Sequence, residues 1–139
     1  YPAQIQGLDA YEEIYADARK WLNNGWLDYF VPQLYWPVDQ APQAFPVLLD
    51  WWVEENHAGR HIWPGSFTDR VSEGRWPAGE IVRQIQATRG TPGATGNVFF
   101  RMRSLMSTRN GLAESLVASP YASPALVPPS PWLVWMTPG

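Results

Sequence analysis

Three short apolar runs start near residues 28, 60 and 97, and a segment with helical periodicity stands before each of them. That alternation constrains the fold more than any other feature of the chain. Parallel strands need a crossover of a dozen or more residues, and a helix is the usual one. The order helix–strand–helix–strand–helix–strand–helix therefore predicts right-handed crossovers and a parallel sheet, the α/β class. The first helix is expected over 9–24, where Leu8, Tyr11, Tyr15, Ala18 and Leu22 recur every three or four residues. Asp9 reads as its N-cap with Glu12 as capping-box partner, and Gly25 as its stop. A second helix over 43–56 carries the stripe Phe45, Leu48, Leu49, Trp52 and Val53. Trp51 and Trp52 are adjacent there, so one belongs to the core and the other meets a neighbouring helix. A polar loop over 66–75 leads to a third helix that opens at Pro77, with Glu80 in its first turn and Ile81, Val82 and Ile85 inside. A fourth is expected over 111–118.

The strand over 28–35 is apolar at Tyr29, Phe30, Val31 and Leu34, as in a parallel strand buried on both sides. Alternation puts Gln33 and Tyr35 on one face and Leu34 and Trp36 on the other. A carboxamide and a phenol at the exit of a buried strand suit a polar ligand better than plain packing. Open α/β sheets and barrels bind at those ends. The second strand is read over 60–65 and the third over 97–101, after a glycine-rich turn. From residue 119 the chain holds six prolines between Pro120 and Pro138 and no regular element fits. Tyr121, Trp132, Leu133 and Trp135 make it too apolar for a disordered linker, so it should lie against something.

With 139 residues and 45% hydrophobic content, one domain with a real core is the default. A net charge of -3 with 17% charged residues supplies no basic patch, so no nucleic-acid partner is expected. The absence of cysteine excludes disulfides and thiolate metal sites. No apolar run approaches the roughly 20 residues of a membrane span. The start Tyr1-Pro2-Ala3-Gln4 reads as a cut N-terminus. Nine Trp are an anomaly, since each indole N–H needs a partner; carbohydrate-handling proteins use such an excess to stack on sugar rings. A closed eight-stranded barrel needs about 250 residues; if the parent is a barrel, this chain is about three strand–helix units of it. An edge left open by such a piece calls for the missing part of the barrel or a second copy of the chain.

The run from Trp21 to Trp36, ending Pro32-Gln33-Leu34-Tyr35-Trp36, resembles the bacterial glycosyl hydrolase-like family 10 of (β/α)8 proteins. The likeness continues in Trp51-Trp52, Ile62-Trp63-Pro64-Gly65, Trp76-Pro77, Gly96-Asn97-Val98-Phe99-Phe100 and Tyr121-Ala122-Ser123-Pro124. The resemblance implies an α/β fold that is the C-terminal portion of a TIM barrel. Residues 1–118 would form the last three βα units, and 119–139 an extended tail packing on the barrel. It implies a secreted or cell-envelope glycosidase acting on a polysaccharide or peptidoglycan glycan, with its catalytic carboxylates on earlier strands. The isolated chain is then expected to be inactive. The alternatives are a non-catalytic carbohydrate-binding or scaffold domain, and a small α/β domain completed by dimerising.

Two carboxylates must flank one bond at roughly 5 to 10 Å to hydrolyse a glycoside. The acids of the strand-exit loops, Asp39, Asp69 and Glu73, read as solvated loop acids, with Asp39 and Asp69 kept as candidates for substrate contact. Gln33 and Tyr35 are expected to hydrogen-bond the sugar. Trp36 is either a stacking platform or a lid over the first helix. Trp63 and Gly65 are placed at the exit of the second strand, where Gly65 serves a close approach or a plain turn. Phe100 offers aromatic surface, and Arg101 either holds the ligand or pairs with a loop acid. No cofactor is expected. His57 and His61 lack a third metal ligand at a usual spacing, and 90–96 precedes a strand and has no Lys, unlike a phosphate loop.

Overall fold

The computed structural model describes residues 16–107 and 109–133, together with residue 3. Helix α1 spans Ala18–Asn23. Asp17 caps it, accepting the Lys20 N–H at 2.9 Å. The helix expected over 9–24 is thus present from Ala18, while Asp9 and Glu12 lie outside the described residues. Gly25 does stop it: φ is +65°, and a Cβ there would stand 2.6 Å from the Arg60 guanidinium.

Strands β1 (Tyr29–Phe30), β2 (His61–Ile62), β3 (Gly65–Phe67) and β4 (Val98–Phe100) are all parallel to their neighbours. Tyr29 stands opposite His61, and Phe67 opposite Phe100. Parallel bridges Gln33–Gly65 and Ile62–Ala94 join the two pairs. Three lines of chain therefore run side by side, and β2 and β3 are one line. The Trp63 N–H to Phe30 O and Gly65 N–H to Pro32 O bonds, 3.0 and 2.9 Å, carry the ladder through it. The α/β reading with parallel strands holds.

Three boundaries differ from expectation. Of the strand expected over 28–35 only Tyr29–Phe30 is regular, with a single bridge further on at Gln33. The middle strand does not end at Gly65 but runs on to Phe67, and the loop expected over 66–75 contains helix α3, Asp69–Ser72. Ser66 and Thr68 are polar but fully buried; for Ser66, pairing with β4 overrides its composition. The remaining helices among the described residues are α2 (Phe45–Glu54), α4 (Ala78–Gly90), α5 (Met102–Leu105) and α6 (Leu112–Ala118), with a 3-10 turn over Arg109–Gly111. Among the described residues no helix is long and apolar enough to cross a membrane.

Two apolar clusters hold the helices to one face of the sheet. Leu22, Phe45, Leu48 and Leu49 close on Leu34 and Ile62, and Val71, Ile81, Ile85, Leu112 and Leu116 gather beside Phe99. Each fully buried Leu or Ile contributes about 1.5–3 kcal/mol of transfer free energy. Trp52 packs on Phe30 with ring centroids 4.4 Å apart, whereas Trp51 lies under Arg19 of α1 at 5.9 Å. The adjacent pair is divided between core and neighbouring helix, as the helical spacing requires.

Beyond α6 the described chain has no helix or strand. Arg89 donates to the Pro120 carbonyl, and Tyr121 meets Phe99 edge-on at 6.3 Å. Further on, the Trp132 indole donates to the Asp28 carboxylate at 2.8 Å, with the Arg60 guanidinium 4.7 Å over its ring. Between these contacts Leu126 and Val127 are almost wholly exposed.

Candidate functional site

Alternation along the strands sends Phe30, Leu34, Ile62 and Phe99 toward the helices and the intervening side chains to the opposite face. At the C-terminal ends of the three lines this second face presents an aromatic group. Tyr35 stacks on Phe67 at 4.7 Å, and Phe100 lies 6.1 Å from Tyr35 and 5.8 Å from Phe67. Burial pushes the Tyr35 phenol above its ordinary pKa of 10.0, so its hydroxyl stays a neutral donor and acceptor at neutral pH. Gln33, one step back along β1, is exposed. Phe67 was not singled out in the sequence, because the strand was ended two residues too early.

Gly65 is not a turn but lies within β3, and of its two readings it serves the close approach. A Cβ there would stand 3.3 Å from the Pro32 carbonyl and 3.6 Å from the Tyr35 ring. The missing side chain is what lets β1 and Tyr35 lie close. Trp63 is not at the strand exit either: Phe67 lies four residues further, about 13 Å along an extended chain. The Trp63 ring stacks on Tyr29 at 4.6 Å and on His61 at 5.3 Å, and its indole donates to Thr95 Oγ1 at 3.0 Å. Trp36 packs against the first apolar cluster, and its carbonyl accepts from Gln84 at 3.2 Å.

The acids separate sharply. Asp39 is exposed and pairs with Arg83 at 2.6 Å. That hydrogen bond is the main reason the Arg83 pKa lies above its ordinary value. Arg83 also reaches Glu80 at 3.3 Å, and buried Glu80 accepts the Val38 N–H at 2.7 Å and the Gln84 amide at 3.2 Å. Asp39 thus belongs to a clamp between the loop after β1 and helix α4.

Asp69 is not a solvated loop acid. It follows β3 by two residues, is 8% exposed, accepts a hydrogen bond from Ser104 and pairs with Arg101 Nε at 3.1 Å. Arg101 also lies 5.7 Å over the Phe100 ring. Beside this pair opens a cleft of about 490 Å³. Asp69, Ser72, Glu73, Arg101, Arg103, Ser107 and Arg109 line it. Glu73 is engaged by Arg75 at 3.3 Å and Arg70 at 3.9 Å. Of the candidates, then, Tyr35, Phe100, Asp69 and Arg101 are brought to one rim with Gln33 close behind. Trp36, Asp39 and Trp63 stand apart.

The histidines are occupied by protein groups. His57 Nδ1 lies 3.0 Å from Asn23 Oδ1. Buried His61 contacts Thr95 Oγ1 at 2.9 Å and Ser130 Oγ at 3.1 Å. Burial lowers its pKa below 6.5, and Asp28 opposes that shift.

Residues 2–75 match the family described as Glycosyl hydrolase-like 10. The chain belongs to this family. It is 34% identical over 132 residues, 91% of its length, to glycosyl hydrolase YngK of Bacillus subtilis. It is 30% identical over 133 residues, 87% of its length, to glycosyl hydrolase DigH of Escherichia coli K12. The chain spans 26% of the first relative and 30% of the second. The part matched to glycosyl hydrolase-like 10 takes in β1, β2, β3 and Asp69, whereas β4 and Arg101 lie beyond it.

Proposed function

We propose that this chain is the C-terminal portion of a (β/α)8 glycoside hydrolase and holds a polysaccharide or peptidoglycan glycan at the exits of its strands. The observation that carries the reading is the convergence of Tyr35, Phe67 and Phe100 with the Asp69–Arg101 pair on one rim, in a member of a glycosyl hydrolase-like family. Ring faces stack on the apolar face of a sugar, while Gln33 and the Tyr35 hydroxyl take its hydroxyl groups. Residues 1–118 are three βα units of the barrel and 119–139 its packed tail. The protein is secreted or held at the cell envelope.

Bond cleavage itself needs an acid and a base or nucleophile on either side of the bond. In this chain the two acids of the cleft, Asp69 and Glu73, are each engaged by arginine. The catalytic pair therefore comes from outside these residues, and the 139-residue chain binds glycan without cutting it. Calorimetric titration with chitotetraose and with peptide-free glycan strands tests this, alongside chromatography for released sugars. Binding that Phe100→Ala weakens by about tenfold, the equivalent of roughly 1.4 kcal/mol, is the expected result. Failure of both glycans to bind sinks the reading, and released product overturns the placement of the catalytic pair.

A further inference from the structure

We infer that the cleft beside Asp69 is an anion subsite that selects glycans carrying a carboxylate on the sugar ring or on a short branch from it. The inference rests on the glycan-binding reading and adds the substrate's charge to it.

The argument begins from charge placement. The chain is acidic overall, with a net charge of -3 and only ten Lys and Arg. Half of those cations gather at one place: Arg101, Arg103 and Arg109 line the cleft, and Arg70 and Arg75 hold Glu73 at its edge. Five guanidinium groups thus face two carboxylates. Arg101 is taken up by Asp69, and Arg70 and Arg75 by Glu73. The guanidinium groups of Arg103 and Arg109 have no ion-pair or hydrogen-bond partner among the described residues. Both are exposed and line the same cleft.

The chemistry of those groups defines the ligand. A guanidinium presents paired N–H donors that match a carboxylate, and such charge-assisted bonds are about twice as strong as neutral ones. Ser107 Oγ accepts the Arg109 backbone N–H at 3.2 Å, which leaves its own proton free to donate into the same space. A concave site concentrates the field of its charges. The geometry also fixes where the acid sits on the ligand. Arg101, which lines the cleft, directly follows Phe100 of the aromatic rim and overlies its ring. A sugar stacked on that rim therefore directs a neighbouring carboxylate toward Arg103 and Arg109.

The test compares sugars that differ only in charge. The 139-residue chain is titrated with a disaccharide containing N-acetylmuramic acid whose lactyl carboxylate is free, and with its methyl ester. A second pair is trigalacturonic acid and its methyl ester. The free acid is expected to bind about tenfold more tightly than the ester in at least one pair, and added salt should shrink that ratio. The pair that shows the preference identifies the source of the carboxylate. In the double variant R103A/R109A the ratio falls to near one, while R103K/R109K keeps part of it. Equal affinities for acid and ester in both pairs overturn the anion subsite and leave the glycan reading standing. Binding of none of the four sugars overturns the anion subsite, while the glycan reading is decided by chitotetraose and the peptide-free strands. The acid–ester comparison uses the unaltered chain, so it decides the matter even if a variant fails to fold.

Discussion

On the helix side of the sheet, Phe30, Leu34, Ile62 and Phe99 meet Leu22, Leu48, Leu49 and the residues around Ile81. On the other side, Tyr29, His61 and Trp63 stack on one another, as do Tyr35, Phe67 and Phe100. Ile62 and Leu34 are 0% and 2% exposed, whereas Tyr29 and Phe100 are 52% and 45% exposed. Helices are aliphatic neighbours that fill space, so the first side uses branched side chains at close packing. The second side uses flat rings, several with a polar tip, that remain satisfied beside water or a hydroxylated ligand. A parallel sheet is ordinarily covered on both faces. The comparison separates a face built for this chain's own helices from one chemically suited to something else.

The strongest way to break that distinction is to delete mass on each side. Ile62→Ala should cost about 2–5 kcal/mol in urea unfolding, because the site is fully enclosed and cannot collapse. Next comes the clamp that fixes the loop after β1. Glu80→Ala strands the Val38 N–H and the Gln84 amide and should cost about 1–3 kcal/mol; Glu80→Gln, which keeps an acceptor, should recover much of it. On the open face Phe100→Ala should cost only about 1 kcal/mol, the worth of its aromatic contacts. A Phe100→Ala loss as large as that of Ile62→Ala would erase the difference between the faces.

The smallest effect concerns pH. Burial lowers the His61 pKa in the folded chain, against the opposing pull of Asp28. The unfolded chain then binds more protons, so stability is complete above the ordinary value of 6.5 and declines as pH falls toward the lower folded value. Melting temperatures between pH 5 and pH 8, compared with those of His61→Gln, isolate this contribution, and the variant should show a shallower slope.

Much of the architecture was readable because it is repetitive. The apolar runs at Tyr29, Ile62 and Val98 and the stripe from Phe45 to Val53 carry the periods of strand and helix directly. The end of the middle strand was not readable. Pro64-Gly65 has the composition of a stop, and Ser66 looks like a loop residue until β4 pairs with it, while Thr68 is buried at the start of α3. Helix α3 has four residues, too few for any period to register. The site was half visible for the same reason. Gln33, Tyr35, Phe100 and Arg101 follow from strand ends, but the burial of Asp69 depends on Ser104, 35 residues away, and no local pattern reports that. Glu80 was placed by the helix dipole, while its bond to Val38 across 42 residues came only with the fold.

The bond from Trp132 to Asp28 joins positions 104 apart in the chain, and that from Ser130 to His61 joins positions 69 apart. Both act at the start of the strands, so the base of β1 and β2 acquires this cover only after the strands and helices have been made. At about 5–20 residues per second, a ribosome needs roughly 5–20 s to travel from Asp28 to Trp132. Through that interval Asp28, Arg60 and His61 belong to a nascent chain whose helices can already pack while its floor is unsealed. The tail thus gives folding a direction in time: whatever stabilises Trp132 against Arg60 acts only after β1 to β4 and α1 to α6 have been made.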